Sequence, residues 1–215
     1  MSSPSEPEAR APYHHGDLHR ALMDAARALM AEQQSWEFSL REVARRAGVS
    51  HNAPYKHFAD KHDLLAELAA DGFERLTLQL QAGAAKAASP AEALVSIALA
   101  YVGFGLEQPV YYRLMFGSGF KALPDGLPER VRVASAEAKA VLRAVIVRGA
   151  ETGVFAVSAA DPMAVLVAAL EGWSVVHGLT MLFLDRLPGE ECAHVPPLVL
   201  AEAVVRRSIS GLLRG

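Results

Sequence analysis

The chain holds 215 residues, 52% of them apolar and 21% charged, with a net charge of −3. That much apolar content supplies a sizeable core and excludes general disorder, and 16 Gly with 12 Pro is too few for a collagen-like or low-complexity chain. The single cysteine, Cys192, excludes an internal disulfide and a cysteine-based zinc site, which fits a reducing, cytoplasmic setting.

Residues 1–12 are polar and Pro-rich, lack the basic start and apolar run of a signal peptide, and read as a disordered tail. Leu18, Leu22, Ala25, Ala26 and Leu29 share one helical face and predict a first helix. It starts near Gly16-Asp17 and ends in the Trp36-Glu37-Phe38 region. Leu40, Val43, Ala44 and Ala47 mark a short second helix, stopped by Gly48. Ser50 to His57 is a third short segment. Leu65, Leu68, Ala69, Gly72, Leu76 and Leu80 mark a long fourth helix that begins near Asp60. Past Ser89-Pro90 basic residues thin out. Alanine-rich helices are expected near Pro90–Glu107, Pro109–Phe116, Leu127–Thr152, Pro162–Leu184 and Pro197–Leu213, with Pro90, Pro109, Pro128 and Pro162 at early positions where a missing N–H costs little. No strand-like alternation of useful length and no internal repeat is present, so the fold class is all-α.

The stretch Met163–Leu184 has the length of a membrane span, with Glu171 and His177 as its ionisable groups. A charge near the middle of a span costs roughly 2–3 kcal/mol, and no basic cluster flanks it. A helix in a core or a subunit interface is the expected reading, with no membrane.

Residues 39–61 read SLREVARRAGVSHNAPYKHFADK. Ser39 and Glu42 fit a capping box. Gly48 supplies a residue that takes positive φ without a Cβ clash, and Ala44 and Ala47 let two short helices approach closely. This is a helix-turn-helix plan, in which the second helix enters the major groove. Val49 and Phe58 are expected to bury against Leu18, Leu22 and Leu65. The segment carries Arg41, Arg45, Arg46, Lys56 and Lys61 against Glu42 and Asp60, a net +3, while the rest of the chain holds 16 basic and 22 acidic residues. A basic footprint on an acidic protein points to one face meant for phosphate. His14, His15, His19, His51, His57 and His62 lie in or beside it.

Tyr13-His14-His15-Gly16-Asp17-Leu18, SLREVARRAGVS, Tyr55-Lys56-His57-Phe58 and Asp60-Lys61 together resemble the amino-terminal DNA-binding domain of TetR-family transcriptional regulators, over about residues 13–65. Trp173, His177 and Gly178 resemble the WHG type of TetR carboxy-terminal domain. The resemblance implies a tail over 1–12, a three-helix DNA-binding domain over 13–60 and a helical regulatory and dimerisation domain over 61–215. It also implies roles by position. Ser50, His51, Asn52 and Ala53 face base edges. Tyr55 and His57 contact phosphate, as does Lys61 at the start of the fourth helix, where the helix dipole favours anions. Ser39 and Arg41 lie near the DNA backbone at the start of the second helix.

Pro54 departs from the family pattern, where many relatives carry Leu. With Ser50 as N-cap it falls at N4 and removes the first helical hydrogen bond; with Asn52 as N-cap it falls at N2 and is harmless. The choice decides which of Ser50, His51 and Asn52 points at bases; Asn52 suits adenine and His51 suits guanine. Tyr55 alone reads equally as a core tyrosine, and Arg45 and Arg46 as a solvated face, with Arg45 the stronger candidate for DNA contact. His15 and His19 are spaced for a metal but read better as two surface histidines, and no metal or other cofactor is expected.

Tyr101, Phe104, Tyr112, Met115, Phe116 and Phe120 gather aromatic and Met side chains, and Trp173, His177 and Met181 share a helix face near Glu171. Such a stripe reads as plain core from spacing alone. The resemblance implies instead a pocket between helices for a small apolar or aromatic effector, with His177 and Glu171 as polar anchors. It further implies a homodimer through the last two helices, burying Leu166, Leu170 and Trp173 on one and Leu200, Val204, Val205 and Leu212 on the other. The expected function is a repressor released from a pseudo-palindromic operator by its effector. The alternative is an all-helical small-molecule-binding protein or enzyme without DNA binding. No nucleophile–base pair, carboxylate pair, phosphate loop or metal cluster in the sequence supports an enzyme.

Overall fold

A computed structural model describes residues 15–117, 126–192 and 194–213. Among these residues eight α-helices form: α1 (His15–Gln33), α2 (Leu40–Arg46), α3 (Lys61–Lys86), α4 (Pro90–Glu107), α5 (Pro109–Phe116), α6 (Glu129–Glu151), α7 (Pro162–Leu184) and α8 (Pro197–Ile209). Short 3-10 turns occupy Pro54–Lys56 and Glu190–Cys192. The described residues contain no strand beyond an isolated antiparallel bridge between Phe155 and Leu213. The chain divides into two compact units on either side of the Leu64–Leu65 bond.

In the first unit, Leu22, Ala25, Ala26 and Leu29 of the face predicted for α1 join Met30, Phe38, Val43, Ala44, Phe58 and Leu64 in a small core, while Leu18 and Val49, expected there too, are only half-buried. Ser39 closes α2 by capping. Its hydroxyl accepts the Glu42 N–H at 3.2 Å, and the Glu42 carboxylate accepts the Ser39 N–H at 2.7 Å. Polar caps of this kind stabilise a helix by about 1 kcal/mol. At the other end Gly48 takes φ +69°, which lets the Val49 N–H reach the Ala44 carbonyl at 3.0 Å and the Gly48 N–H reach that of Arg45 at 3.2 Å. That left-handed cap ends α2 and turns the chain. At the start of α3, the Asp60 carboxylate accepts the Asp63 N–H at 2.9 Å.

In the second unit α4 is the central rod, packed against α5, α6, α7 and α8. Both flanks of its sequence are apolar, and Leu94, Val95, Ile97, Tyr101, Val102 and Phe104 are all buried. Pro90, Pro109 and Pro162 each stand in the first helical turn, with Ser89 and Asp161 capping α4 and α7. Pro128 instead lies just outside α6 as its N-cap residue, so α6 starts later than the spacing predicts. The last helix also ends earlier, at Ile209. Beyond it the chain turns, and the Leu212 carbonyl accepts the Ala156 N–H at 2.7 Å, which ties this end to the segment after α6. By length and composition α4 and α7 are long and apolar enough to cross a membrane. The interior of the second unit accounts for α4; α7 keeps one apolar face uncovered.

A candidate nucleic-acid interface and an internal cavity

The segment after the Gly48 turn is not an α-helix. Pro54 has no N–H to donate to Ser50, so the Ala53 N–H closes a turn on the Ser50 carbonyl at 2.9 Å and a 3-10 turn begins with Ala53 as cap and Pro54 at its first position. Neither Ser50 nor Asn52 is the cap. Ser50, His51 and Asn52 stand exposed in the turn ahead of Pro54, while Ala53 is buried. Tyr55 is 54% exposed, which removes the core-tyrosine reading. His57 is half-buried, with its ring edge-on to His19 at 5.5 Å, and His19 also lies against Phe58.

The five cations of residues 39–61 divide by partner. Arg46 pairs with Glu32 of α1, and its hydrogen bond holds the Glu32 carboxyl below the usual range. Lys61 pairs with Glu37 at 3.4 Å. The Ser39 backbone N–H lowers the Glu42 carboxyl in the same sense. Arg41, Arg45 and Lys56 are exposed and make no ion pair among the described residues. Together with Ser39, Ser50, His51, Asn52 and Tyr55 they give the unit an exposed set of donors suited to phosphate and base edges.

The second unit holds a cavity of about 320 Å³ that is partly open to solvent, with the exposed Leu166 and Leu170 in its wall. Its wall takes Phe73, Leu76 and Leu80 from α3, Leu94, Ile97 and Tyr101 from α4, Phe116 from α5, Ala138, Leu142 and Ile146 from α6, Trp173 and Val176 from α7, and Val205 and Leu212 from the carboxy-terminal end. Beside it runs a polar network among aromatic rings. Trp173 Nε1–H donates to the Tyr101 hydroxyl at 3.1 Å, and the Tyr101 and Tyr112 hydroxyls lie 3.2 Å apart. His177 Nδ1 is 2.6 Å from the Tyr112 hydroxyl and 3.1 Å from that of Tyr101. The His177 ring stacks on Tyr112 and meets Phe116 edge-on at 5.0 Å. Burial pushes the Tyr112 phenol up to about 12 and the Tyr101 phenol further in the same direction. Both stay neutral and serve as hydroxyl donors and acceptors.

The family described as bacterial regulatory proteins of the tetR family matches residues 22–68, and that described as the tetracyclin repressor-like carboxy-terminal domain matches residues 94–189. The chain belongs to the TetR family of transcriptional regulators. A protein of unknown function from Rhodococcus sp. RHA1 is 30% identical, with 95% of this chain and 100% of that one aligned at a TM-score of 0.79. The TetR-family regulator PfmR of Thermus thermophilus shares the fold at 24% identity and a TM-score of 0.61, over 91% and 100% of the two chains. FadR of Bacillus subtilis, in complex with stearoyl-CoA, shares it at 14% identity and a TM-score of 0.70, over 90% and 99%. An uncharacterised helix-turn-helix transcriptional regulator of Haemophilus influenzae is 48% identical over 50 residues, 23% of this chain, so the match spans about a quarter of that relative's length.

In this TetR-family chain four of the nominated ligand residues line the cavity: Tyr101, Phe116, Glu171 and Trp173. Tyr112 and His177 stand behind them in the polar network. Phe104 and Met115 are buried elsewhere in the core, Met181 is half-buried away from the cavity, and Phe120 lies outside the described residues. Spacing marked Leu76 and Leu80 of α3 only as a helix face and did not single out Phe73 of α3 or Lys139 and Arg143 of α6; all five line the cavity. A pair of cations four apart on a helix usually marks a solvated face, so their sequence signal is weak.

Proposed function

We propose that this TetR-family regulator is a repressor that binds a pseudo-palindromic operator as a homodimer and is released by a small apolar effector. The observation that carries the reading is the apolar cavity beside Tyr101, Phe116 and Trp173, in a chain whose first unit presents the Gly48 turn and its exposed donors. Ser50, His51 and Asn52 read bases, with Ala53 at the inner edge of that segment. Tyr55, His57, Lys61, Ser39, Arg41 and Arg45 hold the DNA backbone. The uncovered face of α7, where Met163, Leu166, Val167 and Leu170 recur at helical spacing, meets its equivalent in a second chain together with Leu198 and Val199 of α8; Val205, expected at that seam, is instead buried within the protomer and lines its cavity with Trp173 and Leu212. Its place is the cytoplasm, on duplex DNA, and its work is binding, not catalysis. An effector releases the operator only by preferring the protein state that fits DNA poorly; equal affinity for both states shifts nothing.

The test is capture of genomic fragments by the purified protein, followed by anisotropy titration of the enriched duplex. The reading expects one inverted-repeat sequence to be enriched and bound more tightly than a scrambled duplex. Enrichment of no sequence, with equal affinity for every duplex, contradicts it.

A further inference from the structure

We propose that the effector is an amphipathic anion, an apolar body with one carboxylate or phosphate end neutralised at the cavity rim by Lys139 and Arg143. This rests on the effector reading above. The hydroxyls of the cavity interior have almost no donor hydrogen left to offer. The Tyr101 hydroxyl receives the Trp173 N–H and faces Tyr112 and His177. Ser135 donates to the Arg132 carbonyl at 3.0 Å and Ser208 to the Val205 carbonyl at 2.9 Å. An accepting end of an occupant must therefore find its donors among the charged side chains at the rim, since a buried polar group without a partner is costly.

Three charged residues line the cavity: Lys139, Arg143 and Glu171. Lys139 and Arg143 stand four apart on α6, on one face, and make no ion pair among the described residues. Lys139 Nζ lies 5.5 Å from the Trp173 ring centre, a cation–π contact that draws the ammonium over the cavity wall. Two cations against one carboxylate favour an anion. A cationic end would meet two like charges, and a neutral end would forgo the charge-assisted hydrogen bonds. The size follows from the volume. About 320 Å³ accommodates roughly ten groups of water size, each near 30 Å³.

The experiment is calorimetric titration of the full chain with four ten-carbon probes: decanoate, decyl phosphate, decanol and decyltrimethylammonium. At least one of the two anions should bind about ten-fold tighter than decanol, the margin between charge-assisted and neutral hydrogen bonds. Decanoate against decyl phosphate distinguishes the carboxylate from the phosphate source. In the K139Q/R143Q variant the anion should fall to the affinity of decanol, while decanol itself and the captured duplex bind as before. Both side chains are exposed, and an unchanged circular dichroism spectrum verifies the fold. Equal binding of decanoate, decyl phosphate and decanol, or preference for the ammonium, overturns the anion assignment and leaves the cavity as an effector site. Binding of none of the four overturns both, and leaves operator recognition standing.

Discussion

Tyr55 and His51 sit four residues apart yet take different roles on a duplex in the proposed reading. Tyr55 is an exposed phenol on the 3-10 turn, beside the exposed Lys56, and its hydroxyl suits phosphate, which carries no sequence information. His51 stands exposed in the turn before Pro54, and its ring suits base edges. Y55F should therefore weaken binding by a similar factor on every duplex. H51A should change which base is preferred at one position of each half-site, by about 1–3 kcal/mol of discrimination. Anisotropy titrations against single-substituted duplexes measure both; the opposite pattern would exchange the two roles. At this scale the sequence was most legible where the chemistry is local. The Ser39–Glu42 cap and the Gly48 turn depend on residues within a few positions of each other. Lys139 and Arg143 were illegible because their meaning depends on Trp173, far along the chain, and on a cavity whose wall draws on six helices.

At the scale of elements, proline decides both what was read and what was missed. In α4, α5 and α7 it stands in the first turn, where the missing N–H is one of the orphan donors, and these boundaries were legible. Pro54 replaces an α-helix by a 3-10 turn, an outcome that choosing between Ser50 and Asn52 as cap did not contain, because the tighter turn moves the cap to Ala53. The end of α6 shows a close approach that sequence spacing does not reveal. A Cβ on Gly149 would lie 2.0 Å from Cδ2 and 2.9 Å from Cγ of Phe155, whose side chain is fully buried. The ring root cannot swing aside without moving the segment that pairs with Leu213. G149A should therefore lower stability by about 1–3 kcal/mol despite alanine's better helix propensity. Denaturant unfolding followed by circular dichroism reads this directly. Unchanged or raised stability would mean the Phe155 segment yields freely.

For the molecule as a whole, the claim is that two chains, each carrying one helix-turn-helix, grip one duplex. Two-fold pairing presents equivalent reading segments about 34–36 Å apart, one turn of DNA, or a multiple of it. Val167 and Val199 are 55% and 58% exposed in the single chain and do not line the cavity, so lysine at both positions leaves the protomer core and the cavity lining unchanged while charging the proposed pairing face. The most direct measurement is sedimentation velocity of a labelled operator duplex with the wild-type chain and the V167K/V199K variant across a range of salt. The account predicts two 23.0 kDa chains per duplex for the wild type, an affinity falling steeply with salt as phosphate contacts release counterions, and loss of the complex in the variant. A single chain bound at full affinity, a variant that binds as tightly as the wild type, or no complex even at low salt would contradict it.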